Sequence, residues 1–255
     1  MIEINLTGRK ALVTGGSRGI GAGIVQILAQ CNALVSFTYK QNVQAANQLC
    51  QEFQGKAQVL AFCTPAENID AMRATVKKAA QAMGGLDILV HNVGALWPAQ
   101  LQELELKEWN RGIEMNLTTA FIALKAAYPY LRKVPRGDIV LISSSAVIDG
   151  GGGSAFYAAA KAGVEGMMKA LMRELPQKNI HINTIHPCVV DTDLFRVRYD
   201  THEKRAKVSK QVPLGRLGKP EDIGYLVAFL CSQMGGFICG QSILVDGGRT
   251  MWRKT

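Results

Sequence analysis

This 255-residue chain predicts an α/β fold with a seven-stranded parallel sheet, doubly wound and flanked by helices. Two observations predict it. Seven short apolar segments alternate with segments of helical periodicity, and several are nearly continuous in apolar residues, as strands covered on both faces are. The first strand also runs straight into the glycine-rich turn TGGSRGIGAG and then into a helix. Composition agrees: 48% of residues are hydrophobic and 19% charged, and this length buries roughly 70–75% of its extended surface. No repeat or linker divides the chain, so 1–255 reads as one domain.

The first strand is Lys10-Ala11-Leu12-Val13. Glycines at 15, 19 and 21 follow, then Ile20, Ile24, Ile27 and Leu28 at helical spacing. Glycines let the backbone approach a pyrophosphate, and a helix N-terminus offers it free N–H groups and partial positive charge. The second strand, Ala33 to Thr38, ends at Tyr39-Lys40. An acid at that point binds the ribose 2′-hydroxyl of NAD, but no carboxylate stands between Ser36 and Gln51. Arg18 and Lys40 are instead two cations suited to a 2′-phosphate, which points to NADP(H).

Further strands are read at Ala57 to Phe62, Leu86 to His91, Gly137 to Ser143, Ile180 to His186 and Gln241 to Asp246. Right-handed crossovers place ligands at the carboxyl ends of these strands. His91-Asn92-Val93-Gly94 falls on that edge, with His91 itself expected as a packed strand residue. A long helix is read from Trp109 to Leu131, and Asn116 within it marks a buried hydrogen-bond network that bends the helix or holds a water.

The stretch ISSSAVIDGGGGSAFYAAAK, Ile142 to Lys161, carries the chemistry. Tyr157 and Lys161 are four apart in an alanine-rich helical segment, hence on one face. A phenol pKa of about 10 must fall by roughly 3 units to titrate near neutrality, and an ammonium about 4 Å away at an effective dielectric near 20 supplies roughly that. Tyr157 then serves as general acid or base. Ser144, at the end of the preceding strand, supplies a hydroxyl for the substrate oxygen. Gly150 to Gly153 reads as a mobile loop beside the substrate space.

Several classes are disfavoured. The formal charge of +9 comes with no zinc-finger, basic-zipper or RNA-binding signature, so no nucleic-acid partner is expected. Six scattered cysteines with no CxxC pair argue against a metal site and for reduced, mostly buried thiols. No apolar run approaches the ~20 residues of a membrane span, and the N-terminus lacks a signal-peptide core, so a cytoplasmic protein with no membrane partner is expected.

The motifs Thr14-Gly15-xxx-Gly19-x-Gly21, Asn92-x-Gly94, Asn116, Ser144, Tyr157-xxx-Lys161, Pro187, Thr192 and Val245-Asp246-Gly247-Gly248 occur in one order over nearly the whole chain. In this it resembles the short-chain dehydrogenase/reductase family, in the compact single-domain Rossmann-like branch that includes 3-oxoacyl-acyl-carrier-protein reductases. The resemblance implies hydride transfer between a nicotinamide and an alcohol or carbonyl. It makes Tyr157 the acid/base, Lys161 its modulator and a ribose ligand, Ser144 the holder of the substrate oxygen, and Asn116 the keeper of a relay water. It lays NADP(H) along Gly15, Ser17, Arg18, Gly19, Ile20, Gly21, Tyr39, Lys40, Asn92, Gly94, Tyr157, Lys161, Pro187 and Val190, with Thr192 on the carboxamide. A homotetramer built partly on the helices at 109–131 and 155–175 is also implied.

Four positions depart from the family pattern: His91 and Val93 replace Asn and Ala, Cys188 replaces Gly, and Thr64 stands where an adenine-contacting Asp is common. Met167, Met168 and Met172 read as core or subunit-interface packing. The segment 193–213 has weak periodicity and reads as a substrate lid. Between Arg196 and Lys210 six Lys/Arg face two Asp/Glu, which favours an anionic small-molecule carbonyl substrate, possibly carrier-linked. A 3-oxoacyl thioester fits that expectation. The alternatives are a polyol or sugar dehydrogenase with the same Ser-Tyr-Lys chemistry and a non-catalytic NADP(H)-sensing protein.

Overall fold

The computed structural model describes residues 3–252, so the extreme ends of the expected 1–255 domain lie outside the described residues. The elements run β1 (Lys10–Thr14), α1 (Gly19–Gln30), β2 (Leu34–Tyr39), α2 (Val43–Glu52), β3 (Val59–Cys63), α3 (Ile69–Met83), β4 (Ile88–His91), α4 (Leu106–Ile113), α5 (Thr119–Leu131), β5 (Gly137–Ile142), α6 (Ala146–Asp149), α7 (Ala155–Leu171), β6 (Ile180–Pro187), α8 (Asp193–Arg198), α9 (His202–Ser209), α10 (Pro220–Cys231) and β7 (Ser242–Val245). All seven strands are parallel, in the order β3-β2-β1-β4-β5-β6-β7.

Strand alternation feeds two cores. Ala11 and Val13 of β1, Ile88 and Val90 of β4 and Val140 of β5 point to one face, where Ile24, Leu28 and Val227 of α1 and α10 cover them. Leu12, Leu89 and Leu141 point to the other, under Met72, Ala123, Val164 and Met168 of α3, α5 and α7. Both faces are apolar because both are covered, each buried Leu or Val contributing about 1.5–3 kcal/mol of transfer free energy. Met168 is fully buried, and Met167 and Met172 pack partly buried against the same core.

Some elements differ from the expectation. The helix read over 109–131 begins at Leu106 and is interrupted by a π turn, Glu114–Thr118, between α4 and α5. Asn116 sits at that turn, its Nδ2 donating to Gly112 O at 2.9 Å and to Ala95 O at 2.8 Å; a widened turn lets an inward amide reach both. The segment 193–213 is more regular than its periodicity predicts. Thr192 and Thr201 each accept a backbone N–H, from Phe195 and Lys204, and so cap α8 and α9. Of the six cysteines, all free, only Cys231 is fully buried and Cys63 is exposed. Strand-edge and loop positions expose thiols that composition alone assigns to the interior. No helix among the described residues is long and apolar enough to cross a membrane.

Candidate active site

The chain goes outward from β1 through β2 to β3, then returns to β4 on the other side of β1. The connections after β1 and β4 therefore diverge, and a cleft of about 1070 Å³ opens between them at the carboxyl edge. Every expected site residue lines it except Gly21 and Asn116, which brace it from behind. A side chain on Gly21 would put Cβ 2.1 Å from Gly15 O, so glycine is needed for α1 to start this close to β1. Arg18 caps α1 without a side-chain bond, and the first α1 N–H with a backbone acceptor is that of Ala22, which donates to Arg18 O at 3.2 Å. The N–H groups ahead of it stay free for an anion. Asn92 ties β4 to this loop, its Nδ2 donating to Gly15 O at 3.0 Å.

Ser144, Tyr157 and Lys161 converge at the centre. Lys161 is 3% exposed and donates to Ile142 O at 2.9 Å, with its ammonium 5.9 Å from the Tyr157 ring centroid. An ammonium has three protons; the bond to Ile142 leaves donors for a ribose. Burial pushes its pKa down to about 8. The expected lowering of the Tyr157 pKa is not met. Burial raises it, Ser144 offsets part of the rise by hydrogen bonding the phenol, and the charge at Cys188 adds to it. A lysine lowers the pKa of a solvated phenol, but the desolvation of Tyr157 by burial favours its neutral form. Tyr157 is therefore a protonated donor at neutral pH.

Asn116 spends its amide on the backbone of residues 95 and 112, with Oδ1 also accepting from Ala95 N at 3.0 Å. This is the buried network the sequence indicates, and it fixes the loop after β4 beside Lys161; a Cβ on Gly94 would lie 2.8 Å from Asn116 Oδ1 and 3.2 Å from Lys161 Nζ. Thr192 Oγ1 is 3.3 Å from Phe195 N as the α8 cap, on the cleft wall opposite Gly19. His91 is buried with Nδ1 3.0 Å from Thr14 Oγ1 and Nε2 3.4 Å from Thr119 Oγ1. Burial and the Lys161 charge push its pKa down to about 3, so it is a neutral packing residue.

At the far end of the cleft the structure changes the charge count. Lys40, one of the two expected 2′-phosphate cations, forms an ion pair with Glu67 from the β3–α3 connection. Glu67 Oε2 is buried without a hydrogen-bond partner, and the Lys40 bond holds its carboxyl below the usual range. Thr64, at the position of the missing Asp, faces inward to Thr75 Oγ1 at 2.8 Å. Arg18 forms no ion pair among the described residues. The loop, the free helix N–H groups, the unspent Lys161 protons and Arg18 together fit a nicotinamide dinucleotide.

Of the basic segment 196–210, only Val197's neighbour Arg198 brings a charge to the cleft. Arg196 bonds Asp191, Lys204 bonds Asp200, and Arg205 bonds the carbonyls of Tyr199 and Asp200. The substrate end gains a cation that sequence reasoning missed, Arg249, which follows β7 and donates to Cys188 Sγ at 3.2 Å. No group of three potential metal ligands occurs among the described residues.

Residues 15–250 match the family model described as enoyl-(acyl carrier protein) reductase. The chain is 37% identical over 250 residues to the 3-oxoacyl-(acyl-carrier-protein) reductase FabG of Vibrio cholerae, covering 97% of this chain and 100% of that one. The Escherichia coli K12 protein of the same name gives the same identity and coverage. Among solved structures, a short chain dehydrogenase from Burkholderia cenocepacia in complex with NADP superposes with a TM-score of 0.88 at 33% identity, covering 96% of this chain and 99% of that one. A dehydrogenase/reductase from Sinorhizobium meliloti gives 0.89 at 33%, covering 96% of each. With the sheet order and the Ser-Tyr-Lys cleft, these similarities show that the chain belongs to the short-chain dehydrogenase/reductase family, nicotinamide-dependent oxidoreductases acting on CH–OH and C=O groups.

Proposed function

We propose that this chain reduces a ketone to a secondary alcohol with NADPH, the substrate being a 3-oxoacyl thioester, as the names of its relatives state for them, or another anionic carbonyl compound. The observation that carries this reading is the convergence of Ser144, Tyr157 and the buried Lys161 in one cleft at the carboxyl edge of the sheet, with Lys161 bonded to Ile142 O and its ammonium 5.9 Å from the Tyr157 ring centroid. When bound, the nicotinamide supplies the hydride. Ser144 and Tyr157 hold the carbonyl oxygen, and the Tyr157 proton moves onto that oxygen as negative charge develops on it. Lys161 holds the ribose and stabilises negative charge left on the phenol. Asn116 keeps the loop after β4, and so Gly94, at the distance that places Lys161.

Preference for NADPH rests on Arg18 first and Lys40 second, because Lys40 is already paired with Glu67. Charge-assisted bonds to a 2′-phosphate imply that changing Arg18 and Lys40 to Ala weakens NADPH by a few kcal/mol and NADH little. Arg18→Ala alone accounts for the larger part. Fluorescence titration of both cofactors measures this, and equal affinity of the native protein for NADH and NADPH overturns the assignment.

The assembly proposed is a homotetramer, with Leu106 and Phe121, 73% and 53% exposed on α4 and α5, covered by a partner. Light scattering at micromolar concentration should give four times the 27.6 kDa chain; a monomer contradicts it.

A further inference from the structure

Two arginines at the substrate end of the cleft form no ion pair among the described residues. Arg249 Nη1 donates to a thiol sulfur, Cys188 Sγ at 3.2 Å, and Nη2 to an amide oxygen, Gln211 Oε1 at 3.2 Å. Arg198 Nη1 reaches only the Gly152 carbonyl at 3.4 Å, its guanidinium 5.7 Å from the Tyr199 ring centroid. Neither forms an ion pair with a described carboxylate, whereas the nearby Arg196 and Arg216 are paired with Asp191 and Asp222. Of the acids on the same wall, Asp149 accepts from Gly151 N at 2.8 Å, and the charge of Asp193 acts on Arg196.

The position of both arginines relates them to the reacting atoms. Cys188 lines the same cleft as Tyr157, and Arg249 lies directly on Cys188. Gly152, which Arg198 clasps, packs so tightly on the Tyr157 ring that a Cβ there would be 2.6 Å from it. Both guanidinia therefore line the same cleft as the phenol, and a guanidinium matches a carboxylate through paired N–H donors.

We propose that Arg249, assisted by Arg198, is the acid-binding end of the substrate cleft, and that the preferred substrate is a small ketone bearing a free carboxylate. This rests on the ketone reduction proposed above and narrows its substrate class away from the thioester. The carboxylate is held at the arginines while the ketone oxygen lies at Tyr157 and Ser144.

The test compares pyruvate, acetoacetate and levulinate with their methyl esters, and with the N-acetylcysteamine thioester of acetoacetate, as NADPH-dependent substrates. At least one acid should exceed its ester in kcat/KM by about 10-fold or more, the worth of one charge-assisted bond. That ratio should fall toward one in Arg249→Gln through KM, recover in part in Arg249→Lys, and fall less in Arg198→Gln. A Lys204→Gln/Lys207→Gln variant on α9 should keep it. NADPH titration of each variant, within about two-fold of the native protein, shows that the cleft is intact. An ester or the thioester preferred over every acid, or an acid preference that survives Arg249→Gln, overturns the inference while ketone reduction stands. NADPH binding with no carbonyl compound reduced removes the functional reading itself.

Discussion

Replacing Tyr157 with phenylalanine should lower turnover by roughly 10²-fold or more while NADPH affinity changes little, the size expected for loss of one positioned proton donor. The ring stays in its place under Gly152 and beside Cys188, so packing is preserved and only the hydroxyl goes. Ser144 then keeps its bond to the substrate oxygen but has no acid behind it. Because the phenol is protonated throughout the neutral range, the native enzyme should show no loss of ketone reduction from Tyr157 between pH 6 and 8. Near-normal turnover by Tyr157→Phe refutes the mechanism.

Lys161→Met should cost still more, because in the proposed mechanism one side chain serves both the ribose and the phenol, and NADPH binding should weaken along with turnover. The lysine also has a stability signature. Its folded pKa is depressed from 10.5 to about 8 by burial, a penalty of about 3 kcal/mol while the group is charged. Below pH 8 both folded and unfolded chains carry the proton and the full penalty is present. Between pH 8 and 10.5 only the unfolded chain keeps it, so stability from this group rises with pH, and above 10.5 the penalty is gone. Denaturant unfolding of the native, cofactor-free protein should show that rise, and Lys161→Met should lack it. Ketone reduction should likewise decline once the pH rises past the Lys161 titration, since a neutral lysine no longer supports the phenol. A basic limb that stays at the same pH in a variant with residual activity at position 161 would assign it elsewhere.

Much of the site is legible in sequence because its key parts are local. The turn from β1 to α1 is contiguous, and Tyr157 and Lys161 meet through helical spacing alone. What escapes sequence depends on register. Tyr39 pairs with Cys63 across β2 and β3, so the residues just beyond each strand become neighbours and Glu67 reaches Lys40 from 27 positions away. Pro187 pairs with Val245 across β6 and β7, which brings Arg249 to Cys188 over 61 positions. No periodicity encodes either meeting. The π turn at Asn116 is invisible for a related reason: the apolar pattern continues through it, and only the amide's bonds to residues 95 and 112 show the extra width. The sign of the Tyr157 shift escapes the sequence because burial, a tertiary quantity, raises it.

Hydride transfer from NADPH to a carbonyl carbon at Tyr157 leaves an isotopic trace in the product. The native protein is given NADPH carrying deuterium at both C4 positions of the nicotinamide, with a 3-oxoacyl thioester or a carboxylated ketone, and the alcohol is analysed by mass spectrometry. The account predicts an alcohol one mass unit heavier with deuterium on the carbinol carbon, formed at the rate of NADPH loss at 340 nm and nearly absent with Tyr157→Phe. An alcohol without deuterium, or NADPH that is bound and never consumed with any of these carbonyl compounds, would contradict it.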